Sequence, residues 1–257
     1  MFIFPSAVVH ELEYLFREFL WAQSGNSKAR CRIAWSSVCE PKDCGGLGFK
    51  RLSTWNLALI AKHVWDIIAG RDSVWVNWTR EQYLSSTNFW LVRKSSRWSW
   101  VFRKIMDTRP CLRRFFHLRV GDGLATNAWE DTWLPCGPLS SIVSYRLIHM
   151  AGFTVDTTVA QFLTHNGGVW PAGWGKWFPH LLTVPVPLLS EDMRDRVGWI
   201  DGSSVLDDYS LSKVYASLDG IHNFIPWHSV VWFKGHILNM LFVYGLRVTK
   251  GSRLNIA

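Results

Sequence analysis

What this chain of 257 residues lacks sets the first limits on what it does. No apolar run reaches the eighteen or more residues of a membrane-spanning helix, and Phe2 to Phe4 is too short for the core of a secretory signal. Cysteine is sparse: five residues, at 31, 39, 44, 111 and 136, an odd number that suits free thiols in a reducing compartment, cytoplasmic or nuclear. A structural zinc site needs four ligands, usually as two tight pairs. Cys39 and Cys44, with Cys31 upstream, supply one loose pair, and His10 and His63 stand on separate helices without paired spacing. Ordinary thiols are therefore expected, and no metal or cofactor. Gly45, Gly46 and Gly48 have no strand before them and no Gly-Lys-Ser/Thr ending, which excludes a phosphate-binding P-loop. There is no nucleophile elbow, no His or Asn assignable to Cys44, no internal repeat and no low-complexity tract.

What is present is a large apolar fraction and one block of positive charge. Hydrophobic residues make up 48% of the chain and include seventeen tryptophans, enough to fill a sizeable core. The net charge is +8, and the segment from Arg93 to Arg119, with nine basic residues and Asp107 as its one acid, accounts for all of it. Such a block is what a polyanion needs: cations release counterions from phosphates, and an aromatic on the same face stacks on an exposed base. The candidate nucleic-acid-binding residues are Arg93, Lys94, Arg97, Trp100, Arg103, Lys104, Arg113, Arg114 and Arg119. The competing reading is a solvated helix face with a half-buried tryptophan. Nothing supports sequence-specific readout.

Periodicity predicts an α+β fold, mainly helical. Pro5 and Ser6 open a helix with Val8, Val9, Leu12, Phe16, Phe19 and Leu20 on one face. After the glycine turn, a helix capped by Ser53 or Thr54 and stopped by Gly70 carries Leu57, Ile60, Ala61, Val64 and Ile68 inward. Trp55, Leu59 and Trp65 widen that face, so this helix is expected in the core. Asp72 is read as the cap of a short helix bearing Trp75 and Trp78. In the basic segment, Trp98, Val101, Phe102 and Ile105 point in while Arg97, Trp100, Arg103 and Lys104 point out, and Pro110 ends the helix. Phe116, Leu118 and Val120 then alternate as one strand of a hairpin turning at Gly121-Asp122-Gly123, with Trp129 and Trp133 in the returning arm and Glu130-Asp131 on its solvated face. Residues 140–190, punctuated by glycine and proline around a short helix at Val159 to Leu163, read as a linker, with Trp170, Trp174 and Trp177 as anchors. Arg196 to Tyr209 forms a second hairpin at Asp201-Gly202, and a helix runs from Ser210 to Leu218, capped by Asp207-Asp208.

Three sets of residues carry a family resemblance. Trp35, Cys39, Pro41-Lys42, Gly45-Gly46-Leu47-Gly48 and Trp55-Asn56, with the helix ending near Trp65, form the first. The second is Val120-Gly121-Asp122-Gly123, Thr126, Trp129, Asp131, Trp133 and Gly137-Pro138-Leu139. Together they resemble the region after the polymerase core in plant LINE-type (non-LTR) retrotransposon reverse transcriptases, through about residue 139. The third, Trp199, Tyr209-Ser210, Lys213, Tyr215, Trp227 and Val231-Trp232-Phe233-Lys234, resembles the opening of that family's zinc-binding domain.

The resemblance implies an origin and a loss. Polymerase chemistry needs an aromatic, an alanine and two aspartates at a strand turn to hold two metal ions, and this chain has no such motif; Asp207-Asp208 precede Tyr209 in the wrong order. After Ile237 the residues Leu238 to Leu246 can be encoded by triplets that, read one base earlier, spell the family's Pro-Lys-His-Ala-Phe-Cys-Leu-Trp-Leu, so a frame change is expected there and the later Cys and His ligands are missing. The expected division is 1–139 as a thumb-like region, 140–190 as linker, 191–237 as a truncated zinc-binding-like domain and 238–257 as a frameshifted tail. The function implied is a non-catalytic fragment of an RNA-directed DNA polymerase that binds RNA or DNA nonspecifically, with no membrane and no small-molecule substrate; oligomeric state is left open. The alternative is a structural or protein-interaction module in which the tryptophans only pack.

Overall fold

The computed structural model describes residues 4–21, 34–85, 87–171, 173–220 and 222–226. Along the chain these form α1 (Ser6–Trp21), α2 (Trp35–Cys39), α3 (Leu52–Ile68), α4 (Val74–Thr79), α5 (Trp100–Asp107), α6 (Arg109–Leu112), β1 (Phe116–Arg119), α7 (Tyr145–Met150), α8 (Val159–His165), α9 (Trp174–Trp177), β2 (Arg196–Asp201), β3 (Ser204–Leu206) and α10 (Leu211–Asp219). The fold is α+β and mainly helical, with one small antiparallel sheet. The frame change after Ile237, the segment Trp227 to Lys234 and Cys31 lie outside the described residues. No described helix is long and apolar enough to cross a membrane.

The chain forms two compact units: one holds described residues up to 58 with those from 215 onward, the other residues 59–214. In the first, Trp35, Val38 and Cys39 of α2 are buried, with Leu20 and Leu47 packed against them. The glycine turn works by left-handed φ at Gly45 (87°) and Gly48 (72°). Gly46 serves differently: a Cβ there would stand 1.9 Å from the Glu40 carbonyl oxygen. Residues after α10 are tied to this turn, with His222 between Glu40 (2.5 Å) and Asp219 (3.0 Å) and the Ile225 N–H donating to Asp43 O at 2.9 Å. The apolar face expected on α1 is not covered as a whole. Val9 is buried and Phe16 lies 6.0 Å from Trp35, while Val8 and Phe19 are exposed, Phe19 at 84%. Among the described residues the short α2 covers only one stripe of an apolar face this wide.

In the second unit, Ile60, Ala61, Val64, Trp65 and Ile67 of α3 are buried, as its composition predicts. The sheet order is β1-β2-β3, and β1 pairs with β2, Phe116 opposite Trp199 and Arg119 opposite Arg196. The expected return arm at residues 129–133 is not β1's strand partner; one bond, Leu118 N–H to Thr132 O at 2.8 Å, remains of that pairing. Two glycines and an aspartate give the chain a loop wide enough to route β1 away. The second hairpin forms where Asp201-Gly202 indicates it, with Asp201 opposite Ser204.

Residues 140–190, read as a linker, carry α7, α8 and α9 and supply Val143, Ile148, Phe162 and Trp174 to the core that contains Trp129 and Trp133. The Thr158 hydroxyl and Gln161 cap α8 reciprocally. Of the three tryptophan anchors, Trp174 is buried, Trp170 stacks on Trp133 at 6.2 Å, and Trp177 is 73% exposed. Glycine and proline here shape a packed irregular layer, because tryptophans between them bind it to the core.

Candidate nucleic-acid interface

The basic segment divides by what its cations touch. Ser99 caps α5 by accepting from Phe102 N–H at 3.2 Å, which turns Phe102 and Ile105 inward, each 2% exposed. Trp100, at the first turn, is left 43% exposed with the Lys104 ammonium 6.0 Å above its ring. Arg93 and Arg97 are exposed and form no ion pair among the described residues. Arg103 is half-buried along α5, its Nε buried without a hydrogen-bond partner among the described residues. Lys94 and Lys104 both approach Asp107, at 2.5 and 3.9 Å, as exposed pairs of little net stability. Arg114 is exposed over Phe115 at 4.8 Å.

Two of the predicted contacts are structural. Arg113 donates from Nη2 to the carbonyl oxygen and carboxylate of Glu130, both at 2.7 Å, and lies 5.4 Å over Trp90. Arg119 pairs with Asp207 at 3.0 Å on the sheet, where its facing neighbour is Arg196; an opposite charge there offsets like-charge repulsion. Asp207 is thus an ion-pair partner, and Ser210, not the aspartates, precedes α10. Arg109, outside the predicted set, gives one Nη1 to the carbonyls of Phe89, Trp90 and Val92 at 2.9, 3.1 and 2.9 Å and ties down the loop that leads to α5.

Beside α5 stands an aromatic cluster. Tyr83 stacks on Phe102 with centroids 4.2 Å apart, and Trp78 and Trp98 flank it at 5.2 and 5.5 Å. Trp78 is 48% exposed. Its helix, α4, is capped by Ser73, which accepts from Val76 N–H at 3.2 Å; Asp72 instead accepts from Asn77. From Arg80 to Leu84 the chain runs on as a π-helical turn, closed by Ser85 at φ 45°, the one left-handed non-glycine among the described residues. Sequence periodicity finds neither feature, since both depend on a turn wider than 3.6 residues.

Glu130, Asp131 and Asp195 accept hydrogen bonds from within the protein. Glu130 and Asp131 are not on a solvated face: they are 4% and 3% exposed. Burial raises the Glu130 pKa, but hydrogen bonds from Ser140, Tyr145 and Arg113 outweigh it and hold the carboxyl below its ordinary value. Asp131 has weaker help, from Asn88 Nδ2 at 3.0 Å and Asn127 N–H at 2.7 Å, and burial pushes it up to about 6. Asp131 borders a cleft of about 310 Å³ with Arg80, Asn88, Leu124, Asp195 and Arg196. The loop after β1 wraps the Asp195 carboxylate, which accepts from the N–H groups of Gly121, Gly123, Ala125 and Thr126 and from the Thr126 hydroxyl, at 2.7–3.2 Å. A Cβ on Gly121 would meet Met193 O at 2.3 Å, so the close approach requires glycine. No group of three or more His, Cys, Asp or Glu among the described residues is placed to hold a metal ion. Cys39 is buried, its thiol pushed up to about 11 by desolvation.

Two Arabidopsis thaliana proteins are similar to this chain. One, named "Putative ribonuclease H protein At1g65750", is 31% identical over 208 residues, 77% of this chain and 32% of that protein. The other, the uncharacterized mitochondrial protein AtMg00310, is 32% identical over 128 residues, 48% of this chain and 83% of its own length. The chain therefore spans about a third of the first relative. No protein-family model and no solved structure matches.

Proposed function

The chain belongs to the family of the uncharacterized mitochondrial protein AtMg00310, and from that premise we propose that it is a retrotransposon-derived protein associated with nucleic acid. The finer reading is a non-catalytic fragment of a LINE-type reverse transcriptase, taken from beyond the polymerase core, that binds RNA or DNA without sequence preference. The observation that carries it is the solvent-facing group of Arg93, Arg97, Lys104 and Trp100, with Arg103 half-buried among them, whose only acidic counterpart in the segment is Asp107. The name of one relative, a ribonuclease H protein, points that protein toward nucleic acid and supports the reading here.

A structural or interaction module is the second reading, favoured by Arg109, Arg113 and Arg119, whose charges serve the fold. Binding of the whole chain to labelled RNA and DNA across a salt series separates the two. A variant carrying Gln at Arg93, Arg97, Lys104 and Arg114 leaves the half-buried Arg103 and the Arg113 contact to Glu130 in place, and its fold is checked by its melting temperature. We expect a steep salt slope that falls by roughly 0.7–0.9 for each phosphate contact removed. No binding by folded wild-type protein overturns the proposal.

A further inference from the structure

We infer that the cluster of Trp78, Tyr83 and Trp98 beside α5 is a base-stacking platform that makes the chain select single-stranded over double-stranded nucleic acid. This rests on the nucleic-acid reading above and adds the form of the ligand and residues that charge does not reveal.

The cluster is built like a rigid shelf. Phe102, 2% exposed, forms its floor and stacks on Tyr83 at 4.2 Å with the planes 18° apart. Trp98 meets Phe102 edge-on at 5.1 Å, and Trp78 meets Tyr83 edge-on at 5.2 Å. Rings held this way keep their faces without losing side-chain entropy on binding, which is what favours stacking affinity. The backbone under the shelf carries two irregularities at once, the π-helical turn and left-handed Ser85. A wide turn and a strained serine persist where the fold holds a side chain in a required place, and here they set Tyr83 between the two indoles.

Charge selects the ligand class. Arg93 and Arg97, on the loop that leads into Trp98, are exposed and not ion-paired among the described residues, while Arg103 is half-buried with its Nε covered. Arg80 does not contribute, since its guanidinium reaches back to within 2.5 Å of where a Cβ on Gly70 would stand; Glu81, exposed on the same turn, is the one opposing charge there. Unpaired cations in the segment that carries Trp98, with a half-exposed indole at Trp78, suit a flexible backbone whose bases can turn outward. A duplex keeps its base faces stacked inside and offers the shelf only phosphates.

The test compares a labelled 20-nucleotide oligothymidylate with a mixed-sequence duplex of the same length, at one salt concentration, for the whole wild-type chain and for Trp78→Ala and Trp78→Phe. Trp78 is half exposed but packs edge-on against Tyr83, so the variants are compared at a temperature well below the melting point of each. We expect single-strand affinity to fall about 10-fold in Trp78→Ala, with the phenylalanine variant keeping most of it, and duplex affinity to change less than about twofold. Duplex binding equal to single-strand binding in the wild type, or the same single-strand affinity in Trp78→Ala, overturns the inference and leaves nonspecific binding standing. Failure of the wild type to bind either ligand removes the underlying nucleic-acid reading as well.

Discussion

Two polar regions of residues 59–214 use the same side-chain chemistry to opposite ends. Around Gly121 to Asp131 each carboxylate is met by donors from the protein itself: Asp195 by the loop after β1, Glu130 by Arg113 and Tyr145, Asp131 by Asn88 and Asn127. Around α5 Arg93, Arg97 and Arg114 face water, and Lys94 and Lys104 share one aspartate. Charge count alone does not distinguish a fold's own clamp from a surface open to a ligand; the number of hydrogen bonds already made does. Substitutions in the first region should therefore cost stability, and those in the second should change binding.

The largest effect is expected at Asp195. Its removal in Asp195→Ala strands five donors, several of them partly buried, and a charge-assisted bond is worth about 1.5–3 kcal/mol. Because water reaches some of these N–H groups, the expected loss is on the order of 4 kcal/mol, read as a shift of the urea midpoint. Amide exchange should accelerate first from Gly121 to Thr126. A loss under about 1 kcal/mol would mean that the loop stands without its clamp, and the contrast between the regions would fail.

A smaller effect comes from the two adjacent buried acids. Asp131 is raised to about 6 by burial, so between its unfolded value near 3.9 and about 6 the folded state holds a proton the unfolded chain has lost. Stability then falls as pH rises through that window, by at most roughly 1.4 kcal/mol per pH unit, and the relief is complete below the unfolded value. Glu130 acts with the opposite sign: its stabilisation is present above its unfolded value and is lost as pH falls through its depressed folded one. Asp131→Asn should remove the downward slope between pH 4 and 6, measured as the difference from wild type in urea unfolding, while Glu130 still governs the more acid side. An unchanged slope would place Asp131 in contact with water.

Much of this was legible in the sequence, and the limits follow from range. Local signals held: Gly45 and Gly48 turn as expected, Gly70 stops α3, Asp201-Gly202 makes its hairpin, and the inward pair Phe102 and Ile105 fixes which way Trp100 and Lys104 face. Pairing between distant residues did not show, because β1 finds β2 some eighty residues away and the loop between Gly121 and Thr126 closes on Asp195. Periodicity cannot see such a partner. Arg113 was indistinguishable from Arg114 for the same reason: the two differ only in that one reaches Glu130. The aromatic shelf was half visible, since Trp98 and Phe102 share a face, but Trp78 and Tyr83 join them through a π turn that breaks the helical count.

The smallest expected effect is at Asp107, the one acid among the nine basic residues from Arg93 to Arg119. Its carboxylate holds Lys94 and Lys104 in exposed pairs, and such pairs contribute about 0–1 kcal/mol, so Asp107→Asn should move the melting temperature by no more than a degree or two. Binding should respond instead. Removing one negative charge frees two ammoniums within reach of the same phosphates, and affinity for a single strand at low salt should rise by about three- to tenfold with a steeper salt slope. Above roughly 0.5 M salt, where the Debye length is only a few ångströms, wild type and variant should converge. The measurement is a pair of salt titrations on one oligonucleotide. An Asp107→Asn chain that melts much lower but binds unchanged would move α5 into the first region's class, with its cations serving the fold and not a ligand.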